Sequence, residues 1–208
     1  MKMKQVVWAV AAASALLAGM SAQAALVRYH MAGVVTESGV FDDGTTLAEG
    51  TPVKISYSYE TKQPSSYMQR NDDGSGMASY DFVQPYHFRI RAGTHFARVD
   101  GFKVTLNNDL NQPFGDTFDL EAVGGVHIDH VMQPDAKFTV SLLSQFGNTG
   151  ALRSLNLPKH LNEWSFDAFR SARLAAAGDR TLLMVRIDRI FSTVCAQTLP
   201  GTDDCAPE

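Results

Sequence analysis

The 208-residue chain carries 18 Lys and Arg against 22 Asp and Glu, a formal charge of −4 with neutral histidines. An acidic balance argues against nucleic acid or an anionic membrane as partner, because holding phosphates needs a basic surface. The length suits one domain with a sizeable core.

The chain opens with the three-part build of a secretory signal. Lys2 and Lys4 precede an apolar run from Val6 to about Met20, and Ala22, Gln23 and Ala24 supply the small-x-small pattern for cleavage between Ala24 and Ala25. The apolar run is too short for a membrane anchor, which needs ~20 residues, and no later segment could span a bilayer. Cleavage would leave 184 residues with 16 basic and 22 acidic groups, a charge of −6.

From there period-two alternation dominates. Val27, Tyr29, Met31, Gly33 and Val35 share one face of a first strand, with Arg28 and His30 on the other. Val53, Ile55, Tyr57 and Tyr59 alternate with Lys54, Ser56, Ser58 and Glu60, and Tyr86, Phe88 and Ile90 alternate with His87, Arg89 and Arg91. The pattern returns at Phe102/Val104/Leu106, Phe118/Leu120 and Phe138/Val140/Leu142. Strands with one apolar and one polar face belong to antiparallel sheets wet on one side. The expected fold is all-β, an antiparallel sandwich (jelly-roll-like or meander) over residues 25–194. The stretches 37–49, 62–76 and 107–115 read as loops.

Residues 161–177 admit two readings. One is a single amphipathic helix. The other, preferred, is a short helical segment near 158–165, a strand over 166–175, a turn at Gly178-Asp179 and a strand over 182–194. After it comes a tail, 195–208, holding the only cysteines, Cys195 and Cys205, around Pro200 and Gly201. In an oxidising compartment they are expected to form a structural disulfide that clasps the tail. Ten-residue spacing is unlike redox pairs, and no nearby histidine completes a zinc site.

The order of segments resembles secreted bacterial proteins of the PEP-CTERM group. "LVRYHMAGVVTES" is similar to their "tytFtGtVts" opening, "GTPVKISYSYE" to a G-x-x-V-x-x-x-Y-x-Y/F-(D/E) strand, and "FRIRAG" to an F-x-V-x-x-G strand. "NNDLNQPFGDTFDL" and "LNLPKHLNEWSFDAF" resemble the later segments. The likeness covers nearly the whole mature chain through strand-and-turn patterns and carries no catalytic signature. It implies an exported β-sandwich of an exopolysaccharide-producing Gram-negative bacterium, secreted or periplasmic. The Pro-Glu-Pro sorting tail of the group is replaced here by "CAQTLPGTDDCAPE", so anchoring by that tail is not expected.

Candidate chemistry is sparse. In "VHIDHVM" a strand would send His127 and Asp129 to one face and His130 to the other, so a metal site would need His87 or His95 from a neighbour; a plain polar strand face is the other reading. Asp72, Asp73, Asp109 and Asp116, in Asn/Gly-rich loops, offer hard oxygens for calcium, although such residues also abound in turns for conformational reasons. The EF-hand spacing is absent, as are G-x-S-x-G and H-E-x-x-H, and "GSG" at Gly74–Gly76 lacks the setting of a nucleophile. For glycan stacking, Trp164, Tyr67, Tyr80 and Phe114 lie near loops, while the strand aromatics read as core. The expectation is a non-catalytic envelope or matrix protein with a polysaccharide as partner and no cofactor beyond calcium. The alternative is a hydrolase or metal-dependent enzyme, which three titratable side chains converging in a concave pocket would favour.

Overall fold

The computed structural model describes residues 25–83, 87–109, 115–145, 148, 150–161 and 163–195. The signal segment 1–24, Phe114, and the tail after Cys195 with Cys205 lie outside them. So does one half of the expected disulfide; Cys195 itself is buried at the end of the last strand.

Among the described residues thirteen strands follow in order: β1 (Leu26–Ser38), β2 (Pro52–Glu60), β3 (Tyr67–Arg70), β4 (Gly76–Val83), β5 (Phe88–Ala92), β6 (His95–Val99), β7 (Gly101–Asn108), β8 (Thr117–Ala122), β9 (Val126–Ile128), β10 (Val131–Gln133), β11 (Lys137–Leu143), β12 (Phe169–Ala175) and β13 (Thr181–Cys195). They pair antiparallel in one sheet ordered β10-β9-β6-β5-β2-β1-β13-β12-β11-β8-β7-β4-β3. The alternation seen in the sequence is the cause: Val27, Tyr29, Met31 and Val35 of β1, and Val53, Ile55, Tyr57 and Tyr59 of β2, are all buried.

The two packed sheets expected of a sandwich are, by hydrogen bonding, one continuous sheet. It curls into a half-barrel, so that its two halves face each other across a single core. Tyr57 of β2 meets Phe102 of β7 edge-on at 5.9 Å, Phe88 of β5 meets Phe138 of β11 at 5.3 Å, and Tyr59 stacks on Phe82 of β4 at 5.4 Å. Strand twist accumulated over many strands produces such curling.

The first and last strands, β1 and β13, lie side by side at the centre, where β1 bulges between Ala32 and Gly33. A side chain at Gly33 would place its Cβ 2.0 Å from the Arg186 carbonyl oxygen, so the close approach requires glycine.

Residues 161–177 contain no long helix among the described residues. β12 and β13 form the preferred hairpin, turning through a 3₁₀ segment at Ala177–Asp179 with Gly178 at φ 71°. The short helical segment expected near 158–165 is a correction: its described residues form bends and turns. Together with the chain before it, the stretch up to 166 instead lines the core as irregular chain, burying Leu152, Leu155, Leu157, Leu161 and Phe166. Buried backbone needs partners, and tyrosines supply them. Tyr80 Oη donates to Leu155 O at 2.6 Å, and the hydroxyls of Tyr29 and Tyr59 donate to Pro158 O at 2.6 and 2.7 Å. Tyr57 differs: its buried hydroxyl has no hydrogen-bond partner among the described residues.

Candidate functional site

Because successive strand residues point to opposite faces, burying the aromatic set turns the intervening polar residues outward. Strand order then decides which polar residues become neighbours. On the outer side of β13-β1-β2-β5-β6, one row runs Phe191, His30, Ser56, Arg89, Arg98, and the next runs Arg189, Ala32, Lys54, Arg91, Phe96. Between the rows lies an open groove of about 400 Å³, lined by His30, Lys54, Ser56, His87, Arg89, Arg91 and the rings of Phe96 and Phe191. Phe191 stacks on the His30 ring at 4.9 Å, and His87 Nε2 lies 3.1 Å from Ser56 Oγ. Burial, with Arg28 nearby, lowers the His30 pKa below the ordinary imidazole value. The groove is therefore a cationic trough with aromatic walls on an acidic chain. It can hold a ligand bearing negative charge and flat apolar surface.

The acidic balance of the whole chain hid this site. Arg28, His30, Lys54, His87, Arg89 and Arg91 were legible as polar strand faces, but their adjacency comes from β2 pairing with both β1 and β5. Among the earlier aromatic candidates, Trp164 is 82% exposed and Tyr67 sits on the edge strand β3, away from the groove-lining residues. Tyr80 is 4% exposed with its hydroxyl bonded to Leu155 O, so it belongs to the core.

"VHIDHVM" is not one strand. Asp129 and His130 have φ values of 48° and 71° and form a two-residue turn between β9 and β10. His127 pairs with Asp100 at 3.0 Å. Asp129 reaches back to β6, where its Oδ1 accepts from Phe96 N (2.8 Å) and its Oδ2 lies 2.7 Å from His95 Nδ1. The His95 ring stacks on Phe41 at 3.9 Å, and its Nε2 lies 2.8 Å from Thr45 Oγ1. That hydroxyl donates to Asp43 Oδ1 at 2.6 Å, and the same bond heads the interactions that lower the Asp43 pKa. Two carboxylates thus reach 6%-exposed His95, Asp129 directly and Asp43 through Thr45. None of these four residues lines the groove. The chain of bonds ties the 41–47 loop to β6 and the β9–β10 turn.

The calcium candidates fall into two loops. Asp73 is occupied by its own turn, accepting from Ser75 N (3.0 Å) and Ser75 Oγ (2.7 Å), which lower its pKa; Asp72 is exposed beside it. Asp109 and Asp116 do come together, but the oxygens of fully buried Asp116 accept from Asp109 N (3.0 Å) and Leu152 N (2.7 Å). With its amide nitrogen turned toward them, Asn108 donates to Leu152 O and Asp116 Oδ1 at 3.0 and 3.1 Å. Burial raises the Asp116 pKa, opposed by these backbone donors. Its visible work is to fasten the end of β7 to the chain at Leu152. Among the described residues no group of three or more His, Cys, Asp or Glu is placed to hold a metal ion, and no helix is long and apolar enough to cross a membrane.

Compared with family models, curated proteins and solved structures, the chain matches none.

Proposed function

We propose that the protein is an exported, non-catalytic binding module that holds a polysaccharide of the envelope or extracellular matrix against the outer face of β1, β2 and β5. The observation that carries this reading is the open trough in which Lys54, Arg89 and Arg91 lie between the rings of Phe96 and Phe191. Aromatic faces stack on sugar rings, and guanidinium groups hydrogen-bond to hydroxyl or carboxylate oxygens. The resemblance to secreted sandwich proteins of exopolysaccharide producers points the same way, by association alone. Export through the signal at residues 1–24, and a disulfide clasp between Cys195 and Cys205, belong to the same proposal.

The test is co-sedimentation of the purified protein with exopolysaccharide from a producing strain, with calcium and then with chelator. Saturable binding lost in a Phe96→Ala/Phe191→Ala variant supports the reading. Loss with chelator would bring in the Asp72/Asp73 or Asp109/Asp116 loops, and no sedimentation under either condition overturns it. A second reading, a hydrolase of envelope polymers, rests on the Asp43–Thr45–His95–Asp129 chain of bonds. It requires release of new reducing ends from the same polymer, abolished in His95→Ala; none of these four residues lines the trough, which favours the binding module.

A further inference from the structure

Building on the binding reading, we infer that the ligand is a polyanionic glycan, its carboxylates taken by Lys54, Arg89, Arg91 and Arg98. The register sets Lys54 directly opposite Arg91 and Arg89 directly opposite Arg98. Like charges in directly opposed positions of an antiparallel pair repel. All four side chains are exposed. Among the described residues none of them has a carboxylate within ion-pair distance, while nearby Asp100 and Asp129 are taken by His127 and His95. The result is a stepped lattice of four cations over β2, β5 and β6, Lys54 and Arg91 in one row and Arg89 and Arg98 in the next, with neighbouring positions about 5 Å apart across the strands and about 7 Å along β5.

A chain with repeated carboxylates neutralises such a lattice, and the planar guanidinium fork suits each carboxylate. Phe96 continues the Lys54–Arg91 row and Phe191 begins the His30 row, so each row has an apolar plate for a sugar ring. Nucleic acid and anionic bilayers are attracted by extended positive surface. Here the field of an acidic chain, formally −4, opposes them beyond the trough. Short-range recognition of a slender acidic polymer is what remains.

Titration calorimetry with polygalacturonate and with neutral dextran, at low and at high salt, tests this. Polygalacturonate is expected to bind roughly tenfold or more tighter than dextran at low salt and to lose that advantage at high salt. Arg89→Gln/Arg98→Gln is expected to weaken it by roughly ten- to a hundredfold, as loss of one or two charge-assisted bonds does. The same variant should melt no lower than the parent, because it removes a repulsion. Arg173→Gln, whose partner is Asp179 on the β12–β13 hairpin, should bind like the parent. Dextran bound as tightly as polygalacturonate, with loss in Phe191→Ala but not in the arginine variant, overturns the charge assignment while the binding reading stands. Duplex DNA or phosphatidylglycerol vesicles bound as tightly as polygalacturonate overturn the glycan assignment. Absence of binding to any sugar polymer overturns both.

Discussion

The two halves of the curled sheet share one core but carry outer faces built on opposite rules. Across β4, β7, β8, β11 and β12 one outward row reads Asp81, Lys103, Glu121, Thr139, Arg173, so each charge sits beside an opposite or neutral neighbour. The adjacent row is Ser79, Thr105, Asp119, Ser141, Ser171. This is the pattern a sheet adopts for its own stability. Across β1, β2, β5 and β6 the rows instead stack cation on cation, beside exposed Phe191. This difference between the two outer faces is the ground on which the proposed binding surface rests.

The comparison assumes one shared core. Truncating Phe102, which touches Tyr57, Phe82 and Phe88, should cost ~3–5 kcal/mol. Denaturation followed by Trp164 fluorescence and by far-UV circular dichroism should move together. Separate transitions would divide the halves into independent units.

Next come the tyrosines beneath the cationic face. Tyr29→Phe removes a donor to the buried Pro158 carbonyl and should cost about 1–2 kcal/mol. Tyr57→Phe removes a buried hydroxyl without a partner and should be neutral or stabilising by up to ~1 kcal/mol. Equal losses in urea denaturation would mean that the Tyr57 hydroxyl is satisfied in solution.

Charge reversal separates the faces directly. Arg91→Glu places a carboxylate opposite Lys54 and should raise stability by about 0.2–1 kcal/mol while abolishing polygalacturonate binding. Lys103→Glu puts three acids in a row with Asp81 and Glu121 and should lower stability by a similar amount without touching binding. Paired urea midpoints with a binding isotherm for each variant decide the matter, and the same sign for both would remove the distinction.

The smallest effect is the pH dependence of the trough. Burial holds the His30 pKa below the usual ~6.5, so its ring is neutral near pH 7 and gains charge only as pH falls. Polygalacturonate affinity should rise as pH falls below the ordinary histidine value of about 6.5, by less in His30→Gln. The folded-state value lies below the unfolded one, so this residue's contribution to stability is full above the ordinary histidine pKa and declines as pH falls. Identical pH profiles for the two proteins would exclude His30 from the effect.

Most of the core was written in the period of the strands. Val27, Tyr29, Val53, Tyr57, Phe88, Phe102, Phe118 and Phe138 were legible as inward residues, and every one is buried, because alternation is a local property that burial enforces. Gly178-Asp179 likewise announced the β12–β13 hairpin. The Asp129-His130 turn escaped notice, since no glycine marks it, and Asp129 is bonded to β6. The single sheet in place of two, the irregular chain lining the core and the cationic trough were not legible. Each depends on which strands become neighbours. Arg89 and Lys54 are 35 positions apart in the chain, and only the pairing of β5 with β2 brings their rows together. Sequence alone determined which face of each strand is wet; long-range pairing decided what that wet face could recognise.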